Sequence, residues 1–210
     1  MSSSGPPPEC APRGPRNPQR TRQRLEETAL RLFAAHGFDA VTVADVCREA
    51  HVGPATFYRH FGTKDEVVFA YRAGFDQALR SAVSAARGTD PDQQLLRVLR
   101  CFALYLDSQR DSLVLRDGIV LGHEGLMRRT LAVQREVETL LADGLAALRG
   151  LPTPDDTARA QAAVGLVVLR LGLRSWRTGR SDSIVAATEA AYATVRAALS
   201  PGGPPLPDAG

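Results

Sequence analysis

The stretch TVADVCREAHVGPATFYRHFGTK, residues 42–64, constrains the fold more than any other part of this chain. It carries two helix-start signals too close together for anything but short helices. Thr42 can accept a backbone N–H, and Asp45 three residues on completes an acidic capping box. Val43, Val46 and Cys47 then fall on one face, at i, i+3 and i+4. Ala50, His51 and Val52 form a turn. Gly53 caps a second helix, and Pro54 takes its first position, where a missing N–H costs nothing. Phe57 and Phe61, four apart, face the core, which leaves Ala55, Thr56, Tyr58, Arg59 and His60 outside. Two short helices joined in this way predict a helix-turn-helix, the motif whose second helix lies in the DNA major groove.

The preceding segment supports that reading. Its periodicity predicts a helix from Pro18 to His36 with Leu25, Ala29, Leu32 and Phe33 inward, stopped by Gly37. The pieces TALRLFAAHGFDAVTVADV and REAHVGPATFYRHFGTKDEVV, with the Gly37-Phe38 pair and the lysine at fixed spacing, resemble the TetR family of bacterial transcriptional regulators over residues 20–75. Two positions depart from the family pattern. His51 stands where the family has a turn glycine, a place that needs positive φ, which His tolerates better than most residues. Gly53 stands where the family often has a serine whose hydroxyl meets a phosphate.

The resemblance implies an all-α protein: an N-terminal three-helix helix-turn-helix DNA-binding domain, residues 18–63, plus a C-terminal helical bundle for ligand binding and dimerisation, residues 64–199. Residues 1–17 and 200–210, rich in Pro, Gly and Ser, are expected to be a disordered arm and tail. It further implies a homodimer, joined through the last two helices, that represses from a palindromic double-stranded operator and is released by a small-molecule effector of unknown identity. A ligand-independent regulator or an activator is the alternative within the class. Phosphate contacts carry over to Thr42, Tyr58, His60 and Lys64. The C-terminal pattern, with Trp176 near the end of the penultimate helix, is similar to the MftR-like branch, which implies an acyl-thioester ligand.

Base reading looks sparse. Pro54, Ala55 and Thr56 offer methyl groups and one hydroxyl, and Arg59 can read guanine or hold a phosphate. Arg13, Arg16, Arg20, Arg22 and Arg24 crowd residues 13–24 with no acid among them. Arg16, Arg20 and Arg22 are candidates for the minor groove, the alternative being a solvated basic tail. The net charge of +3 is small, so charge distribution and not bulk charge suggests nucleic acid.

After residue 63 the pattern is helical throughout. One helix is expected from Lys64 to about Arg87, with Val67, Tyr71, Phe75, Ala78 and Ala82 on one face. Pro91 opens another, and a broken segment covers about Asp111 to Gly122. A long helix follows over Glu124–Leu148, with Met127, Leu131, Leu141, Leu145 and Leu148 inward. The last two helices span about Asp155–Arg177 and Ser183–Leu199. Ala158, Gly165, Gly172 and Gly179 recur every seven residues and give a smooth edge for close helix approach. The pocket candidates are Phe102, Tyr105, His123, Met127 and Trp176, each of which core packing would also explain. Arg170, Arg174 and Arg177 share a face and read either as ion-paired surface or as an anion site.

Other classes fit poorly. Hydrophobic residues make up 44% and charged residues 23%, which is ordinary for a globular chain. Cys10, Cys47 and Cys101 lack disulfide or zinc spacing, and no cofactor or metal is expected. His123-Glu124 lacks the second helical histidine of a zinc enzyme, so the chain does not read as an enzyme. No run is apolar enough for a bilayer and none resembles a signal peptide, so a cytoplasmic location is expected. Removing residues 1–17 should weaken DNA binding and flatten its salt dependence, measured by fluorescence anisotropy at two salt concentrations.

Overall fold

A computed structural model describes residues 18–200, so the arm at 1–17 and the tail beyond Ser200 lie outside the described residues. The helices in order are α1 (Pro18–His36), α2 (Val43–Glu49), α3 (Pro54–His60), α4 (Lys64–Val68), α5 (Arg72–Ala85), α6 (Pro91–Ser108), α7 (Arg110–Leu121), α8 (Glu124–Leu148), α9 (Asp156–Arg177) and α10 (Ile184–Leu199). No strand occurs among the described residues. The chain divides into two compact units between Val67 and Val68.

In the first unit the local signals act as the residues suggest. Asp45 N–H donates to Thr42 Oγ1 at 3.2 Å, and Thr42 N–H donates to Asp45 Oδ2 at 2.9 Å. Thr42 also gives its hydroxyl proton to Asp45 Oδ2, at 2.6 Å. That bond, the Thr42 amide and the nearby Arg48 lower the Asp45 pKa to about 2. Gly37, at φ +88°, ends α1, and its N–H reaches Phe33 O at 2.9 Å. His51 sits at φ +50°, the left-handed conformation that the turn requires. Leu25, Ala29, Phe33, Val46, Phe57 and Phe61 are buried. Leu32 is only half-buried; Thr28 and Leu30 complete the inward stripe of α1 instead.

The chain departs from the expected single helix over residues 64–87. Val68 ends α4, and α5 restarts at Arg72. The Val68 carbonyl would normally accept the Arg72 amide, four residues on. Instead buried Arg116 donates Nη1–H to it at 2.5 Å, and the Arg72 amide turns to Phe69 O at 3.1 Å. Residues 110–121, expected to be broken, form the continuous helix α7. Its polar inward residues, Arg116 and Asp117, mask the apolar period.

The core of the second unit gathers Leu79, Leu95, Leu99, Phe102, Leu141 and Val168. Helix α9 packs against α8 and α10, and α6 against α5 and α10. These contacts are close because glycines remove side chains at them. A Cβ on Gly172 would stand 2.9 Å from Thr188 Cα, and one on Gly165 would stand 3.0 Å from Leu141 Cδ2. The recurring small residues Ala158, Gly165 and Gly172 are therefore buried within this chain's own unit. Gly179, the last of them, lies at φ +69° just beyond α9. Leu131, expected inward, is 59% exposed, because the N-terminal half of α8 turns Leu126, Val133 and Val137 inward.

The left-handed turn gives a test. His51→Gly should stabilise the chain by about 1 kcal/mol through relief of the side-chain clash, less the entropy of glycine. His51→Val should lower the midpoint of thermal unfolding.

Candidate nucleic-acid interface and cavity

Helix α3 is two turns long, too short to persist alone. Tertiary contacts hold it. Phe57 is fully buried, Phe61 nearly so, and their rings are 5.6 Å apart. Arg22 reaches across from α1, donating Nη1–H to His60 O at 2.7 Å and covering the Phe61 ring at 4.4 Å. A cation placed on the last carbonyls of a helix satisfies an orphan acceptor and suits the helix dipole. Arg22 is thus taken up inside the unit, not held out as a groove-reading arm. Arg20 is exposed on the first turn of α1, and Arg16 lies outside the described residues.

The face left open carries most of the expected contacts. Pro54, Ala55, Tyr58 and Arg59 are exposed, with Tyr58 57% accessible, and Thr56 and His60 are half-buried. Burial, helped by Arg59 and then Arg22, holds the His60 imidazole below its ordinary value of 6.5. Protonating His60 therefore costs the folded state, so its contribution to stability fades as pH falls below about 6.5. Thr42 is exposed, but its hydroxyl proton goes to Asp45.

Lys64 is the surprise. Its ammonium donates to Phe38 O at 2.7 Å and to Val41 O at 3.0 Å, and lies 4.1 Å from the Phe38 ring centre. The start of α4 is thereby tied to the loop between α1 and α2. An ammonium has three donors, so one remains for a phosphate.

The second unit encloses a cavity of about 400 Å³, within the range of small-molecule sites. Of the five pocket candidates, Phe102 and Met127 line it. Tyr105, His123 and Trp176 do not. His123 caps α8, its Nδ1 accepting the Leu126 amide at 3.2 Å. Tyr105 stacks on Phe102 and packs over Gly74, where a Cβ would stand 2.9 Å from its hydroxyl. Trp176 packs against the core cluster.

Sequence reasoning missed the polar part of the wall: Arg116, Asp117, Thr130 and Gln134. Arg116 also donates Nε–H to Ser112 Oγ at 3.1 Å and sits over the Tyr71 ring. Asp117 Oδ2 meets Arg177 Nε at 2.5 Å; burial pushes the carboxyl up while Arg177 pulls it down. Arg170 and Arg177 line the cavity, and Arg174 does not.

A capped helix, a left-handed turn and a short helix with a polar outer face make a helix-turn-helix unit. Residues 26–71 match the model for bacterial regulatory proteins, tetR family. The chain is 31% identical over 205 residues to the HTH-type transcriptional regulator TcmR of Streptomyces glaucescens, covering 90% of this chain and 89% of that one. Its fold is similar to Thermus thermophilus FadR, a TetR family repressor solved with lauroyl-CoA: TM-score 0.53, 21% identity, covering 89% of this chain and 98% of that one. It is also similar to SmeT solved with triclosan: TM-score 0.58, 22% identity, covering 90% and 100%. The chain belongs to the TetR family. It is a helix-turn-helix transcriptional regulator and not an enzyme. No described helix is long and apolar enough to cross a membrane.

Arg22 gives the site its test. Arg22→Met should lower stability by about 1 kcal/mol, since it removes a hydrogen bond and a cation–ring contact. Arg20→Met should leave the thermal midpoint in place.

Proposed function

We propose that this chain is a cytoplasmic homodimeric repressor that holds a palindromic operator and releases it when a small molecule enters the cavity of its helical unit. The observation that carries this reading is α4. Lys64 fastens the first residue of that helix to the Phe38 and Val41 carbonyls, and Arg116, a cavity-wall residue, fastens the last one through the Val68 carbonyl. A guest pressing on the wall therefore acts on the five-residue helix that runs into the DNA-binding unit.

In this reading Tyr58, His60 and the remaining donor of Lys64 meet phosphates, which supply most of the affinity, and Thr42 joins them by turning its hydroxyl proton from Asp45 to the DNA. Pro54, Ala55 and Thr56 meet thymine methyls, and Arg59 reads guanine or a phosphate. The dimer forms through the outer faces of α9 and α10. There Val167 and Leu171 stand 44% and 41% exposed beside the exposed Ala186, Ala190 and Ala193. Two recognition helices must meet half-sites about 34–36 Å apart, so a small change in their separation loses the operator. The effector acts only in so far as it prefers the releasing state. The ligand complexes of FadR and SmeT support a cavity that takes small molecules.

The test is fluorescence anisotropy of the dimer against DNA from its own upstream region at two salt concentrations. Tyr58→Ala should weaken binding about tenfold or more without moving the thermal midpoint. Lys64→Ala should weaken binding and lower the midpoint as well, because it unfastens α4. Binding no tighter than to random DNA, both there and in an unbiased selection of operator sequences, would overturn the reading.

A further inference from the structure

We infer that the cavity takes a planar aromatic acid, with its rings against a wall of four aromatic side chains and its acid group at Arg170. This rests on the effector reading above and names the chemistry of the effector.

Charge argues for the acid. The cavity is lined by Arg116, Arg170 and Arg177 against a single carboxylate, Asp117. Asp117 is taken by Arg177 at 2.5 Å. Arg116 is taken by the Val68 carbonyl and the Ser112 hydroxyl. Arg170, by contrast, reaches among the described residues only the Gln134 amide oxygen, at 3.5 Å, the outer limit of a hydrogen bond. Its planar fork is exposed where the cavity meets solvent and holds no carboxylate among the described residues. A guest carboxylate or acidic phenol gains a charge-assisted, two-point contact there. A cationic guest would face excess positive charge.

The wall argues for rings. Phe75 meets Phe102 edge to face at 4.5 Å, Tyr71 meets Phe75 edge to face at 5.8 Å, and Phe69 lies 6.5 Å from Tyr71. All four line the cavity, with Val133, Val137 and Leu169 also in the wall. Edge-to-face pairs present ring edges and faces that a flat aromatic guest can continue, an attraction beyond area burial. A flexible acyl chain collects the area and not that attraction, and it loses more rotamer freedom on binding. A cavity of about 400 Å³ accommodates a compact fused-ring molecule.

Calorimetric titration of the full chain tests this with anthracene-2-carboxylate, the neutral anthracene-2-carboxamide, dodecanoate and lauroyl-CoA. The aromatic acid should bind about tenfold tighter than the amide, the difference expected of one charge-assisted contact. It should also bind about tenfold tighter than dodecanoate, which keeps the carboxylate but lacks the rings and loses more rotamer freedom. Arg170→Gln should erase the gap between acid and amide while the amide affinity and thermal midpoint stay unchanged. Tighter binding of dodecanoate or lauroyl-CoA, equal binding of acid and amide, or an acid advantage that survives Arg170→Gln overturns the inference, as does no binding of any probe. A thermal-shift screen of a chemically mixed library against the wild type and cavity-blocked Val133→Trp then separates the two levels. Hits lost in the blocked variant leave the effector reading standing, and an absence of hits overturns that too.

Discussion

The second unit depends on one guanidinium finding one carbonyl. A buried charge is tolerable only where its donors are met, and Arg116, only 5% exposed, meets the Val68 carbonyl, the Ser112 hydroxyl and the face of Tyr71. The Arg72 amide bonds Phe69 O in place of Val68 O, and the helix begun at Lys64 stops after five residues. The chain then turns through Phe69, Ala70 and Tyr71 before α5 begins, and both aromatic rings go to the cavity wall. Arg72, released into the next helix, pairs with Asp76 and reaches Glu136 on α8 at 3.1 Å. Helix end, cavity wall and the α5–α8 link thus meet within five residues, Val68 to Arg72.

The DNA-facing unit divides its labour by burial. Phe57, Phe61 and the Arg22 contact set where α3 lies, and its exposed residues are left to make contacts. A short recognition helix held from behind in this way needs no helix propensity of its own. The same economy appears at Lys64, the chain's sole lysine. Two of its donors and its place over the Phe38 ring serve the fold, which makes any contact it gives DNA a by-product of a structural position.

Much of this was legible in the residues, and the pattern of what was not is informative. Local signals with a single physical cause read well. The Thr42 cap, the turn at His51, Pro54 at the head of α3 and the limits of α1 and α8 all follow from adjacent residues. The break after Val68 did not, because the group that meets the Val68 carbonyl there, Arg116, lies 48 residues away. Helix α7 was obscured for the related reason that its inward residues are charged. The cavity was the least legible part. Phe102 and Met127 line it, while Tyr105 and Trp176 fill core, and nothing in residue type distinguishes a side chain facing a void from one facing a neighbour. His123 carried a polar signal, but it was the signal of a helix cap.

The glycine contacts of α9 carry a mechanical meaning. With Thr188 backbone where a Gly172 side chain would be, and Leu141 pressed on Gly165, α9 has little freedom to slide along α8 or α10. Interlocked helices of this kind form a stiff plate. Elsewhere in the cavity wall Val120, Leu121 and Met127 come from α7 and α8, where Leu121 and Met127 are exposed to solvent and a Cβ on Gly118 would meet nothing within 4 Å. On the effector reading proposed above, a guest larger than the resting void would displace α7, the helix that carries Arg116 and its hold on the end of α4.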